Sequence, residues 1–466
     1  MTSGRNIRRV LVANRGEIAV RIVRACRDEG IDAIVAVSDA DADSLAARLA
    51  TDVVHIGPAA PTQSYLRVEQ IVAAALLTGC DAIHPGYGFL SERAELADDC
   101  AAHGLVFVGP AADTIRSGGD KIAARRIARE AGVPTGAGSD AVARVDEARA
   151  VAADIGFPIL LKAAAGGGGR GMVRVDDIDE LADRFTGAST EAAAAFGDGR
   201  MYVERYLDNA RHVEVQLLGD HHGHIVHLGD RDCSTQRRFQ KLVEEAPAAV
   251  LADELRERVA DAAVALGHRL DYRGAGTVEF LVDLERDEFS FLEINTRVQV
   301  EHPVTEVVTG VDIVREQLRI AAGDALSVTP DDVVVRGHAI ECRVNAESVA
   351  DGFLPSPGTI THWSPPDGEH VRIDSHGFDG YEIPPHYDSL LAKLIVSGDD
   401  RDDAIDRTLS ALDDFEIEGV DTTLDLHRHV VSHDDFRADT ITTRWLETTL
   451  LPGLTPSDIE TEPTHG

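Results

Sequence analysis

The sequence predicts an α/β protein with an α+β remainder, and three observations carry that prediction. Short apolar strands alternate with amphipathic helical stretches between residues 9 and 108. A glycine-rich run follows an apolar strand over 159–161, and beyond residue 270 polar and apolar residues alternate at period two. At 466 residues the chain is too long for one ordinary core, so about two to four packed units are expected.

The elements follow in order. Residues 10–13 read as a strand, 17–28 as a helix and 33–37 as a second strand. Further strand-like pieces at 82–84 and 105–108 each precede a turn containing Gly or Pro. This alternation predicts a parallel sheet with crossover helices over residues 1–115. No G-x-G-x-x-G follows the first strand, so a dinucleotide site is not indicated. A second unit is expected over 116–335. Within it, 134–206 has strand and helix signals of its own, including an Ala-rich helix candidate near 192–195, and is read as a separate lobe. A third unit over 336–450 follows strand-like 333–345 and contains helix-like 402–414. The polar residues at the end of 451–466 are expected to form a frayed tail.

Composition narrows the function. With 81 acidic against 45 basic residues the net charge is -36, which disfavours binding to nucleic acid or an anionic membrane. The acidic residues are spread along the whole chain, a pattern expected of a cytoplasm with molar salt, where the Debye length falls to roughly 3 Å; a merely acidic mesophilic protein is the alternative. The five cysteines lack the spacing of a zinc site or a disulfide framework, in keeping with a reducing cytoplasm. The apolar run after Arg9 stops at Asn14 and Arg15, so no signal-peptide core is present, and no window approaches the ~20 apolar residues of a membrane span.

Three features carry chemistry. Lys162 begins the run K-A-A-A-G-G-G-G-R-G-M at 162–172, where Gly166, Gly167, Gly168 and Gly169 would let backbone N–H groups approach phosphate oxygens. It is not a Walker loop, because no Gly-Lys-Ser/Thr closes it; a plain flexible loop is the alternative. Second, Glu293, Asn295, Arg297, Gln299 and Glu301 occupy every other position, so an extended segment would place all of them on one face. Carboxylates with an amide suit Mg²⁺, while Arg and Gln suit a small oxyanion. Glu279, in a strand-like run over 277–283, could add a second metal ligand. The alternative is an ordinary strand with a charged outer face. Third, only Lys121, Lys162, Lys241 and Lys393 are lysine. A chain that otherwise uses Arg keeps the first three beside Gly-rich or charged motifs, where a compact ammonium can bind phosphate as a point charge. Lys393 has no such neighbourhood and is read as structural.

In these features and in a further set of motifs, the chain resembles the biotin carboxylases. The likeness rests on N-R-G-E-I-A at 14–19, H-P-G-Y-G-F-L-S-E at 84–92, the Gly-rich run, R-H-V-E-V-Q at 211–216 and R-D-C-S-T-Q at 231–236. It extends through 293–302, E-C-R-V-N-A-E at 341–347 and F-L-P-S-P-G at 353–358, covering nearly residues 6–450.

The resemblance implies an ATP-grasp fold: an N-terminal Rossmann-like domain, an ATP-binding unit with a hinged lid at 134–206, and a mixed C-terminal domain. Lys121 and Lys162 would hold ATP phosphates, and Glu204 with the Leu207 backbone would read adenine. His212 and Gln236 would line the nucleotide site. Glu279 and Glu293, with Asn295 nearby, would hold Mg²⁺ or Mn²⁺. Lys241, Arg297, Gln299 and the Val300 amide would bind bicarbonate, with Glu301 as its general base. Arg343 would stabilise the biotin enolate beside Tyr87. Phe239 departs from the His or Asn common in the family, which puts one nucleotide contact in doubt.

The resemblance also implies partners. Biotin is attached to Lys in a Met-Lys-Met setting, and none of the four lysines has a Met neighbour. The carrier is therefore expected on another chain, with a separate carboxyltransferase that uses an acyl-CoA, such as acetyl-CoA or propionyl-CoA, or pyruvate. A homodimer is expected by analogy alone. Two rival readings are a carbamoyl-phosphate-forming ATP-grasp ligase and a non-catalytic ATP-binding regulatory protein. Tyr87 and the motif around Arg343 speak against the first; Glu301, Lys241 and Arg343 together speak against the second.

Overall fold

The computed structural model describes residues 6–165 and 171–454. Its N-terminal sheet is fully parallel, in the order Asp52–His55, Asp32–Val37, Arg9–Val12, Ala82–His84, Val106–Phe107. The first helix, Gly16–Asp28, buries Ile18, Ala19, Ile22 and Val23 against that sheet. The helical period places these residues on the face toward the strands. Gly16 opens the helix at φ +67°, a backbone conformation that glycine adopts without a Cβ penalty.

A three-stranded antiparallel sheet, Met172–Val175, Ile159–Ala163, Met201–Arg205, forms the lobe expected within 134–206. Helices Val145–Ile155 and Leu181–Phe196 cover it, closing a small core around Leu161, Phe185 and Val203. The Ala-rich stretch near 192–195 lies in the second of these helices. Gly166 to Gly169, the predicted phosphate-holding glycines, lie outside the described residues.

The largest element is an eight-stranded sheet. Its order is Glu288–Asn295, Gly274–Asp283, Ala210–Gly219, Ile225–Arg237, Gln240–Ala246, His338–Asn345, Leu390–Gly398, Val371–Ser375. The sheet runs across the sequence division at 335/336, because Gln240–Ala246 pairs with His338–Asn345. That join lets residues from both sides share one sheet face.

Two expectations change here. Strand-like 333–345 forms a strand only over His338–Asn345, since Gly337 turns the backbone at φ +66° and 333–337 carries no ladder. The single polar face expected from Glu293 to Glu301 is broken: the strand ends at Asn295 and helix His302–Thr309 begins after Glu301. Pro303 sits in the first turn of that helix, where its missing N–H costs nothing, and the chain must leave the sheet to reach it. At the C-terminus, Leu451–Gly453 forms a helical turn, and 455–466 of the expected tail lie outside the described residues.

Candidate active site

Alternation on Ala210–Gly219 builds the floor. Val213, Val215 and Leu217 join one hydrophobic core, so His212, Glu214 and Gln216 face the other side while remaining buried. On the neighbouring strand Glu279 stands opposite Glu293. A register irregularity beside them pairs Phe280 with Phe291 and leaves Leu292 as the extra residue. The two phenylalanines thus stay in the core while both carboxylates face the same cleft.

That cleft has a volume of about 340 Å³ and is lined by Lys121, Lys162, Glu204, Leu207, His212 and Gln236, together with Glu279 and Glu293. Phe239 also lines it, 59% exposed at a hairpin tip where both Arg238 and Phe239 have positive φ. Lys162 pairs with Glu204 at 2.6 Å, and Arg125 contacts the same carboxylate. Burial, then Arg125 and Lys121, pull the Lys162 ammonium down to about 7, with Glu293 opposing. An incoming phosphate would restore its charge.

The remaining predicted residues form a charged cluster joined to the cleft through Glu279. Glu279 Oε1 accepts from Lys241 Nζ at 3.0 Å, Asn295 Nδ2 at 2.8 Å and Gln299 Nε2 at 2.9 Å, while Oε2 meets His212 Nε2 at 2.9 Å. Burial raises its pKa, but Lys241 and His212 outweigh burial and hold it well below the usual carboxylate range. Lys241 Nζ also contacts Glu214 and Glu301, each at 2.6 Å. Arg343 reaches Glu301 Oε2 at 2.9 Å and donates from Nε to Glu244 Oε1 at 2.6 Å. Arg297 joins Asn295 Oδ1 at 2.9 Å and Gln299 Oε1 at 2.8 Å, with Glu92 at 3.0 Å. Tyr87 donates its hydroxyl to Glu17; burial and the Glu17 charge push the phenol pKa far up, against nearby Arg343.

Glu301 is wholly buried. Burial alone would raise its pKa, but Lys241, Arg343 and Arg231 hold it well below the usual range. Glu293 goes the other way: burial and the facing charge of Glu279 raise it, with Lys121 opposing. A buried and a half-buried carboxylate in register, the latter resisting ionisation, suit a divalent cation that would neutralise both. Glu279, Glu293 and the adjacent Asn295 amide therefore fit a magnesium site. Another donor group, His212, Glu214 and Glu279, has ligand atoms within 4.8 Å of one another and shares Glu279 with the first; Lys241 contacts both its carboxylates and would have to release Glu279 for a cation to bind in either group.

Several participants escaped sequence reasoning. Glu214 and Arg231 anchor the cluster from within quoted motifs: Arg231, fully buried, donates to Glu214 at 2.5 Å and to Gln216, Thr305 and Thr277. The period-two run His212, Glu214, Gln216 inside an apolar strand was the available signal. Glu17, within the quoted motif at 14–19, and Glu244, which no local pattern marks, are also buried.

Comparison with known proteins gives three family matches. Residues 6–115 match a family described as the biotin carboxylase N-terminal domain, 120–329 the carbamoyl-phosphate synthase L chain ATP-binding domain, and 341–448 the biotin carboxylase C-terminal domain. The chain is 48% identical to biotin carboxylase 1 of Bacillus subtilis, over 95% of this chain and 98% of that one. It is 50% identical to the biotin carboxylase of Pseudomonas aeruginosa, over 95% and 98%. Among solved structures, it is similar to the biotin carboxylase domain dimer of Hydrogenobacter thermophilus 2-oxoglutarate carboxylase in complex with MgADP, ADP and bicarbonate. The TM-score is 0.91 at 44% identity, covering 98% of this chain and 99% of that one.

Proposed function

Because the chain belongs to the biotin carboxylase family, we propose that it uses ATP and bicarbonate to carboxylate biotin held on a separate carrier protein. The observation that carries this reading is the joint placement of Lys241, Glu301 and Arg343 beside a nucleotide-sized cleft, linked to it by Glu279.

Bicarbonate is a poor nucleophile and must lose a proton to attack phosphorus. Lys241, Arg297, Gln299 and the Val300 amide bind it, and Glu301 removes that proton. In the free arrangement Glu301 is a weak base, because Lys241 and Arg343 in contact with it, and Arg231 nearby, stabilise the carboxylate. Once Lys241 turns to the bound bicarbonate anion and Arg343 to the biotin oxygen, that stabilisation falls and the proton affinity of Glu301 rises. The base is thus activated by substrate binding.

The carbonate oxygen then attacks the γ-phosphorus and the bond to ADP breaks, giving carboxyphosphate. Lys121 and Lys162 hold the nucleotide phosphates from the cleft walls. Glu279 and Glu293 would hold magnesium, which would supply charge neutralisation to the phosphate oxygens. Carboxyphosphate releases CO₂ as its C–O bond breaks, and the freed phosphate takes the N1′ proton of biotin. Arg343 stabilises the resulting enolate, which attacks CO₂, while Tyr87 packs near the ureido ring. One positioned donor of this kind lowers a barrier by about 3 kcal/mol. The lobe at 134–206 closes over the phosphates and keeps water from the labile intermediate.

The sequence divisions at 1–115, 116–335 and 336–450 then serve as N-terminal, ATP-grasp and C-terminal units. A separate carboxyltransferase passes the carboxyl group to an acyl-CoA or to pyruvate. The Hydrogenobacter thermophilus dimer supports a homodimer. Among the described residues no helix is long and apolar enough to cross a membrane, and all five cysteines are buried free thiols, which supports a reducing cytoplasm.

The test is ADP release from ATP and bicarbonate, with and without free biotin, in molar KCl. Strict biotin dependence supports the reading; dependence on ammonia instead favours a carbamoyl-phosphate-forming ligase.

A further inference from the structure

The turn at 299–301 presents three groups assigned above to bicarbonate, yet the side-chain contacts of the charged cluster do not fix its two central peptides. Two buried side chains from outside the cluster do. His302 Nδ1 meets the Gln299 carbonyl at 2.7 Å, and Lys393 Nζ donates to the Val300 carbonyl at 2.8 Å. Both side chains are buried, and Lys393 has no exposure at all.

A trans peptide is planar, with its C=O and N–H pointing in opposite directions. Fixing the Gln299 carbonyl therefore fixes the Val300 N–H, and fixing the Val300 carbonyl sets the plane from which Glu301 departs. We propose that His302 and Lys393 are positioning residues that clamp these two successive peptides from beneath, His302 aiming the Val300 amide at bicarbonate and Lys393 setting the Glu301 carboxylate. The inference rests on the bicarbonate reading of this turn.

The surroundings commit both groups to the task. A carbonyl only accepts, so His302 must carry its proton on Nδ1. Its Nε2, an acceptor in that tautomer, is buried with no hydrogen-bond partner among the described residues. Burial, together with nearby Lys393, Arg21 and Arg372, holds the ring neutral. Lys393 is tethered on the far side: Glu17 Oε2 lies 3.1 Å away, a charge contact rather than an aligned hydrogen bond, and Asp374 lies at 3.9 Å. Glu17 in turn accepts from Tyr87, while Asn14 Nδ2 holds the Tyr87 carbonyl at 2.6 Å. The clamp beneath the bicarbonate turn is thus continuous with the loop proposed to face biotin. A chain with only four lysines has buried one of them here, where Arg would not fit the same point contact.

Steady-state kinetics separate positioning from mere stability. His302→Leu removes the donor, whereas His302→Asn keeps an amide nitrogen near the Nδ1 position. The expected result for His302→Leu is a rise in bicarbonate KM of about tenfold or more, with ATP KM within about twofold. His302→Asn should restore bicarbonate KM to within about threefold of the parent. Lys393→Met should lower kcat by about tenfold with ATP KM unmoved. If it does not fold, Glu17→Gln/Lys393→Met removes the cation with its anion and is read the same way. If neither folds, the His302 pair decides.

Gln299→Ala reports on the underlying reading. If it raises bicarbonate KM while folded His302→Leu and the Lys393 variant keep parental constants, the clamp is overturned and the bicarbonate turn stands. If Gln299→Ala is also silent, the reading of the turn fails and takes the clamp with it.

Discussion

The ammonium of Lys241 lies 2.6 Å from Glu301 Oε1, and the carboxylate has no exposure to solvent. Lys241 also holds Glu214 and Glu279, so one cation keeps three buried carboxylates together. Removing one partner of a buried ion pair typically costs about 3–5 kcal/mol, because the other charge is left without compensation. Lys241→Met is expected to lose stability of that order in urea unfolding. Its kcat/KM for bicarbonate should fall at least about a hundredfold, as when one transition-state donor is lost. A folded variant with parental kcat/KM would remove Lys241 from the reaction.

Arg343 donates to both Glu301 and Glu244 and remains a guanidinium at any working pH. Arg343→Ala is expected to abolish carboxylation of biotin while nucleotide binding, measured by ADP calorimetry, persists. Unchanged turnover would take Arg343 out of the mechanism.

The pH dependence of stability has an identifiable source outside the site. Glu245 is buried, which alone would raise its pKa, but His338 at 2.8 Å and Arg401 at 2.7 Å lower it to about 2. An unfolded glutamate titrates near 4.3, so this depressed group stabilises the fold fully above that pH. Its contribution, about 3 kcal/mol, is lost as pH falls from about 4.3 through about 2. Glu245→Gln should be less stable at neutral pH and should show a shallower decline of urea midpoint over that window. Parallel parent and variant curves would contradict the assignment.

The parts legible in the sequence were those with local signatures. The strand at Arg9–Val12 and helix at Gly16–Asp28 fall within a residue of their periodic patterns. The alternation from Glu293 to Glu301 marked residues that do lie together, but with the wrong geometry. After Asn295 the chain turns, the Thr296 N–H goes to Glu92, and Arg297, Gln299 and Glu301 converge from a loop instead of a strand face. Lys393 illustrates what no local pattern could reveal. Its neighbours Glu17, Asp374 and Val300 come from three distant segments, so it read as structural, with no sign that its ammonium holds the Val300 carbonyl. Lysine scarcity was the one available hint, and it applied to all four lysines.

The net charge of -36 implies strong self-repulsion in dilute buffer. Raising ionic strength to about 1 M shortens the Debye length to roughly 3 Å and screens it. Thermal midpoint and kcat are both expected to rise between dilute buffer and molar KCl. Best folding and activity in dilute buffer would refute adaptation to a salt-rich cytoplasm.

The proposed attack of Glu301-activated bicarbonate on the γ-phosphate is tested most directly by oxygen transfer. With ¹⁸O-labelled bicarbonate, ATP and biotin, the account predicts that the phosphate released carries a single labelled oxygen, the former carbonate bridge. Phosphate released without label during biotin-dependent turnover would mean that water, not bicarbonate, is the nucleophile, and would contradict the account.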